Sequence, residues 1–280
     1  MCGRYAATAN PAELVVAYEV EQDRSAEPTR GLRTGAQPAS TVLPDYNMAP
    51  TKRAPVVLTR ALRSVEDAGP VRQLRLLTWG LVPSWAKDTS SAGRMINARS
   101  ETVATRPSFA RALRARRALV PATGWYEWQR SPVATDAKGK PLTQPFFIRR
   151  GDGLPLAFAG LYEFWRDPAV PDGDDPAAWL ATFTILTTTA EAGLDRIHDR
   201  QPLVLDPDCW GRWLDPSLTD PADVADVLAT RTHSGRFTAY PVGRAVGSTR
   251  ANGPALIEPL PVTELHGVVD PASGEILGTA

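Results

Sequence analysis

The sequence predicts a single α+β domain with mostly antiparallel or mixed sheet. Three observations lead there. Short apolar runs of strand length recur between residues 55 and 242, bounded by glycine, proline and aspartate. The helical segments between them are few and short, and three begin beside a proline (Pro11, Pro207 and Pro221). No internal repeat, low-complexity tract or linker divides the 280 residues, and a hydrophobic content of 43% is enough for one sizeable core.

Residues 11–20 (PAELVVAYEV) read as a short amphipathic helix, with Asn10 as its cap and Pro11 in the first turn. Residues 21–44 are polar, contain proline and show no period, which reads as a loop. A turn at 46–51 leads into a strand at 55–60; residues 61–72 read as a charged hairpin or loop. A strand at 73–79 then runs into a loop, 79–88, in which tryptophans stand beside glycine and proline. Residues 108–117 read as a helix with Phe109 and Leu113 one turn apart. A strand at 118–122 delivers Gly124-Trp125-Tyr126-Glu127-Trp128, an acid wrapped in three aromatics. Residues 129–144 read as a polar hairpin connection, and 145–149, 156–164 and 181–188 as strands around an acidic, proline-rich loop at 166–178. An apolar Leu-Val-Leu at 203–205 leads to a helix capped by Asp206 and Pro207 that carries Trp210 and Trp213. A further helix covers 222–230 and a strand 236–242, while the tail beyond about 260 carries little pattern.

Lys+Arg and Asp+Glu both number 31, so a generally basic coat for nucleic acid is excluded. Four of the 31 basic residues are lysine, leaving 27 arginines. Seven of these lie between Arg94 and Arg117 with one acid, Glu101, a local charge of +6. That strip reads as a local phosphate or anion site, or as a solvated helix face. Cys2 and Cys209 are too few for a disulfide framework and have no zinc-ligand spacing. His198, His233 and His266 are too scattered for a metal cluster, so no metal is expected. Without a signal-peptide pattern or a membrane-spanning apolar run, the expectation is a soluble, cytoplasmic protein.

The N-terminus reads Met1-Cys2-Gly3-Arg4. Removal of Met1 would leave Cys2 with a thiol and a free α-amine on adjacent carbons, with reference pKa values of about 8.5 and about 8. Such a 1,2-aminothiol condenses with an aldehyde to an imine, and the thiol then closes a thiazolidine ring.

Six motifs extend this pattern: Cys2-Gly3-Arg4-Tyr5, YNMAPT at 46–51, WGLVPSWAKD at 79–88, INARSET at 96–102, PATGWYEW at 121–128 and IHDRQPLVL at 197–205. In this order they resemble the SRAP family, the SOS-response-associated proteins that crosslink to abasic sites in single-stranded DNA. The resemblance covers residues 2 to about 260 and leaves 261–280 outside it. It implies a compact domain whose sheets curl into a barrel-like core with peripheral helices beneath a positively charged DNA groove. It also implies a monomer without metal or organic cofactor, associated with the nucleoid through its DNA.

The resemblance further implies a role for each site residue. Cys2 would attack the ring-opened aldehyde through its amine and then its thiol. Glu127, desolvated by its aromatic neighbours, would serve as general acid and base. His198 would protonate the sugar ring oxygen and assist reversal, and Asn97 would hold the Cys2 terminus by its amide. Arg4 and Arg99 would bind the flanking phosphates. Trp85 and Pro50 would stack on or wedge against neighbouring bases. The peptidase label of the family implies removal of its own Met1 or reversal of a crosslink. Two departures bear on DNA contacts: Ala86 follows the loop tryptophan where some members have a second aromatic, and Ser248 and Ala251 occupy a loop often richer in asparagine.

Plainer roles stand beside these: a structural acid at Glu127, a capping or core histidine at His198, a turn residue at Asn97, salt-bridging arginines at Arg4 and Arg99. Cys209, beside Trp210, reads as a buried small hydrophobe. Two other functions share the features, an N-terminal-nucleophile amidohydrolase and a non-covalent single-stranded-DNA binding module.

Overall fold

The structure, a computed structural model, describes residues 2–32, 36–37, 42–61, 69–229 and 235–278. Most of the segment expected as a charged hairpin, 62–68, lies outside the described residues. In chain order the elements are β1 (Arg4–Ala7), α1 (Pro11–Ala17), β2 (Gln22–Asp23), β3 (Thr29–Arg30), β4 (Ala36–Gln37), β5 (Asp45–Met48), β6 (Arg53–Arg60), β7 (Val71–Trp79) and β8 (Asn97–Arg99). They continue with α2 (Pro107–Ala115), β9 (Arg117–Ala122), β10 (Gly124–Thr135), β11 (Pro141–Arg150), β12 (Leu156–Arg166) and β13 (Trp179–Thr189). The last are β14 (Arg200–Pro202), β15 (Val204–Leu205), α3 (Pro207–Leu214), α4 (Pro221–Ala229), β16 (Phe237–Pro241), β17 (Val268–Val269) and β18 (Ile276–Leu277).

Five strands form a closed barrel. The order β13-β12-β9-β6-β7 runs through antiparallel ladders, and β7 returns to β13 through a parallel pairing at Thr182↔Thr78 and Phe183↔Trp79. These strands read as continuous apolar runs because both faces are covered. Val56, Leu58, Val120, Phe158 and Ile185 point into one core, while Val57, Leu119, Ala157, Ala159 and Leu186 point into a second one beneath the helices. The alternation is the period-2 geometry of a strand.

A second sheet, β16-β11-β10-β1-β5, packs against the barrel. Its Tyr5 meets Trp79 and Phe158 of the barrel edge-on, with ring centroids 5.2 and 5.7 Å apart. Trp125 meets Phe158 at 6.0 Å in the same manner. Such edge-to-face pairs fix orientation as well as burying area. Gly124 is needed where this sheet turns, since a Cβ there would stand 2.3 Å from the Phe147 ring.

The helices close the outer face. Asn10 caps α1 in a full capping box, its Oδ1 accepting from Glu13 N–H at 3.0 Å while Glu13 Oε2 accepts from Asn10 N–H at 2.9 Å. Tyr18, just beyond, stacks on Trp210 of α3 at 4.7 Å. The helix expected over 108–117 ends at Ala115, because Arg117 turns inward and starts β9. Its buried guanidinium donates to the carbonyls of Leu113, Arg114, Trp213 and Asp215, satisfying orphan carbonyls at the ends of α2 and α3.

Two expectations are corrected. Residues 129–144 are not a hairpin connection: β10 runs to Thr135 and β11 begins at Pro141, leaving only 136–140 to turn. The polar Gln129 and Ser131 disguised the strand, yet both are buried and hydrogen-bonded. The stretch 261–278, which carries little pattern in the sequence, places Leu265 and Val268 in the main core and pairs β17 with β18. Asp206 stands at the N-cap of α3 but makes no capping bond; its carboxylate accepts from Arg150 and Arg236 instead.

Candidate functional site

Cys2 is fully buried two residues before β1. That strand pairs with β10 at Arg4↔Tyr126 and Tyr5↔Trp125, so one further step of the register sets Gly3 opposite Glu127. Asn97, at the start of β8, donates from Nδ2 to the Cys2 carbonyl at 2.8 Å. The Cys2 Sγ lies 3.9 Å from the Arg4 carbonyl. Burial holds the thiol well above its ordinary pKa, and the negative charge of nearby Glu127 adds to this.

Glu127 is 3% exposed, and desolvation pushes its carboxyl up to about 7. The charge of Asp199 acts in the same direction. Asp199 stands beside His198, with Oδ1 2.9 Å from Nδ1. The His198 Nδ1 accepts the Arg200 backbone N–H at 3.0 Å, which places the proton of the neutral ring on Nε2. Burial lowers the imidazole pKa below its ordinary value, and Asp199 Oδ1 is placed to accept a hydrogen bond from Nδ1–H when the ring charges. The structure thus ties Asn97 to Cys2 by a hydrogen bond, sets Glu127 within electrostatic reach of the Cys2 thiol, and gives Glu127 and His198 a common charged neighbour in Asp199.

The expected DNA-contacting residues differ in setting. Trp85 is 64% exposed, whereas Trp79, six residues earlier, is fully buried; the loop holds one core tryptophan and one surface tryptophan. Its flanks are pinned, since Ala86 O accepts the Trp165 indole N–H at 2.7 Å and Ser84 N–H donates to Glu163 at 3.0 Å. Pro50 is half-buried in a turn closed by Lys52 N–H to Ala49 O at 3.2 Å. Thr51 follows it with φ at 73°, the position of a type II turn that normally takes glycine. Arg99 is exposed on β8, opposite Thr187, and the Glu101 carboxylate is held by Arg200 at 2.7 and 2.9 Å.

Arg4 departs from a free phosphate ligand. Its guanidinium donates to Asn47 Oδ1 at 2.7 Å, Val246 O at 2.8 Å and Gly247 O at 3.2 Å. Asn47, which sequence reasoning passed over within YNMAPT, is fully buried and donates to Ser248 O at 2.8 Å and Ala251 O at 3.0 Å. Loop 246–251 therefore contributes carbonyls here, whatever its side chains. Only its place inside a quoted motif marked Asn47 out.

Beyond Trp85 lies a groove of 760 Å³ lined by Arg60, Arg111, Arg116, Arg166, Tyr162 and Phe164. Arg111 donates to Ser84 Oγ at 3.4 Å, and Arg116 pairs with Glu163. The basic strip of the sequence is thus divided between structure, at Arg117, and surface, at Arg99 and Arg111.

A family model described as SOS response associated peptidase (SRAP) matches residues 1–249. The chain belongs to the SRAP family. Its relatives include the abasic site processing protein YoqW of Bacillus subtilis, 33% identical over 92% of this chain and 99% of that protein. YedK of Escherichia coli, with the same description, is 31% identical over 93% and 100% of the two chains. The HMCES protein of Gallus gallus is 30% identical over 93% of this chain and 78% of its own length. A crystal structure from Bacteroides thetaiotaomicron shares the SRAP-type fold at a TM-score of 0.70 and 22% identity, covering 92% of this chain and 100% of its own.

Among the described residues of this SRAP domain, no group of three His, Cys, Asp or Glu is disposed to hold a metal ion. No described helix is long and apolar enough to cross a membrane. Cys209 is buried on α3 and burial raises its thiol pKa to about 11, the setting of a small hydrophobe rather than a nucleophile.

Proposed function

We propose that this chain binds single-stranded DNA at abasic sites and, after Met1 is removed, joins Cys2 to the lesion as a thiazolidine crosslink. The observation that carries the reading is the Cys2 setting: a buried thiol, its carbonyl held by Asn97, beside a carboxyl with a pKa of about 7. The SRAP relatives described as abasic site processing proteins support the choice of substrate.

The α-amine of Cys2 adds to C1′ of the ring-opened sugar. Loss of one water gives an imine, and the thiol then adds across the C=N bond, its proton passing to nitrogen. One water leaves overall, and no oxidant is needed. Because the thiol is held in its protonated form, ring closure needs a base, and water loss needs an acid. Glu127 serves both at neutral pH, where its two forms are comparably populated. His198 delivers a proton to the sugar ring oxygen on opening, and the reverse sequence releases the protein. Removal of Met1 by the chain itself and reversal of the adduct are the peptidase-like and lyase-like steps of this reading. On the surface, Trp85 and Pro50 meet bases, Arg99 and the remaining Arg4 N–H groups meet phosphates, and the strand continues toward the Arg111 groove.

The test is denaturing electrophoresis of untagged protein incubated with a single-stranded oligonucleotide bearing one abasic site. A shifted band that requires both the lesion and Cys2 is expected. A band that persists in Cys2→Ala excludes the aminothiol chemistry. A complex that vanishes on boiling leaves a non-covalent DNA-binding module, and hydrolysis of small amides without a band leaves an amidohydrolase.

A further inference from the structure

We infer that Gln129, together with the C-terminal hairpin it grips, is a positioning residue that fixes the turn carrying His198 relative to the strand carrying Glu127. The roles of those two groups rest on the function proposed above; the bracket itself is geometric. Glu127 lies in the second sheet, on β10, whereas His198 immediately precedes β14 of the barrel sheet. No shared strand ladder links the two segments, so their separation is fixed by side-chain contacts.

Gln129 supplies that tie. It is 2% exposed and two residues beyond Glu127, hence on the same face of the strand. Its Nε2 donates to Arg196 O at 3.1 Å and to Val269 O at 2.9 Å, and its Oε1 accepts from Val269 N–H at 2.7 Å. Both amide hydrogens are thereby used. With Val269 the side chain exchanges the two bonds of a strand neighbour, and its second N–H reaches the turn that carries His198.

The hairpin clasps that turn from the other side. Arg196 donates to Pro271 O at 2.6 Å, and a Cβ on Gly193 would stand 2.9 Å from the same oxygen. The hairpin tip is itself rigid, since Asp270 Oδ1 accepts from Ala272 N–H and Ser273 N–H at 2.8 Å each. Its root is fixed by Ser131 Oγ–H donating to Gly267 O at 2.7 Å and by Leu265 and Val268 in the core that holds Cys2. A buried amide with every partner in place is costly to break and holds one geometry. The hairpin lies beyond residues 1–249, the stretch matched by the family model.

The test uses untagged full-length protein and three variants. Gln129→Leu keeps the volume and removes the amide; Arg196→Ala removes the Pro271 contact at the surface; Arg196→Lys keeps a donor for it. At saturating abasic oligonucleotide, Gln129→Leu is expected to slow crosslinking at least tenfold and Arg196→Ala several-fold. The Kd for the same oligonucleotide without the lesion should stay within twofold, and Arg196→Lys should recover most of the rate. NMR titration of the His198 ring should show its pKa moving up toward the ordinary histidine value in Gln129→Leu and Arg196→Ala. Native crosslinking rates and an unmoved His198 titration in folded variants would overturn the inference. Should the native chain form no crosslink, the proposed chemistry fails and the His198 titration decides the bracket alone. Should Gln129→Leu not fold, the Arg196 pair decides it.

Discussion

Glu127 makes the sharpest statement about single residues. Its raised pKa means that the folded chain binds a proton there more tightly than the unfolded chain, so this contribution to stability is fullest below pH 4.5 and is lost as pH rises toward 7. At 1.36 kcal/mol per pKa unit the loss approaches about 3 kcal/mol above pH 7. Glu127→Gln is therefore expected to be more stable than the native chain at pH 8 and close to it at pH 4.5, measured by denaturant unfolding at both. A pH-independent difference would remove the desolvation argument. The same variant should slow crosslinking at least tenfold. Thr51 makes a second statement: φ at 73° is a strained place for a β-branched side chain, and it sits beside Pro50 at the proposed DNA surface. Thr51→Gly should raise stability by about 1 kcal/mol, read in a thermal melt; a lower melting temperature would show that the turn is unstrained. The candidate site residues stood out in the sequence because motifs mark side-chain identity. Asn47 and Gln129 were not, since an amide looks the same whether it faces water or holds two segments together.

Among elements, the junction of α2 and β9 depends on one side chain. Arg117 donates to four carbonyls at the ends of two helices, so Arg117→Ala should cost about 3 kcal/mol or more, while Arg114→Ala at the exposed end of the same helix should stay within about 0.5 kcal/mol. Equal effects in urea unfolding would contradict the division of the basic strip into structural and surface arginines. Strand positions from 55 to 60 and 181 to 188 were readable from their apolar runs, and α1 from its cap and proline. The second half of β10 was missed because Gln129 and Ser131 break the apolar pattern, their partners lying more than a hundred residues away at Val269 and Gly267. Local sequence cannot announce a partner at that distance.

For the whole molecule, an even net charge conceals a directional surface. In the proposed function Arg99, Trp85 and the groove holding Arg111 and Arg166 meet the DNA, which predicts salt-sensitive binding of single strands. Arg99→Ala and Arg111→Ala should each reduce the slope of log affinity against log salt by about 0.7, the single-strand value per phosphate contact, in fluorescence anisotropy with an intact oligonucleotide. A slope unchanged in both variants would move the strand to another face. Trp85→Ala should weaken binding by about 1–3 kcal/mol with no change in slope, since stacking carries no charge. The α+β class was legible in the pattern of elements and the barrel-like core in the family resemblance, but the pattern alone could not announce the closing pair, which lies far apart in sequence.

That closing seam has a consequence for how the chain reaches its native state. Two parallel rungs, Thr78↔Thr182 and Trp79↔Phe183, join positions more than a hundred residues apart, with β9 and β12 among the elements between them. A contact of such long range is entropically late, so the ring shuts only after its antiparallel staves have assembled. Until then the edge stretches 78–79 of β7 and 182–183 of β13, which carry Trp79 and Phe183, lack each other as partners. A nascent or heat-opened chain thus passes through a species with two sticky margins, prone to self-association through those edges. Amide protons at this seam should exchange earlier than those between β12 and β13, which marks it as the place where the fold begins to come apart.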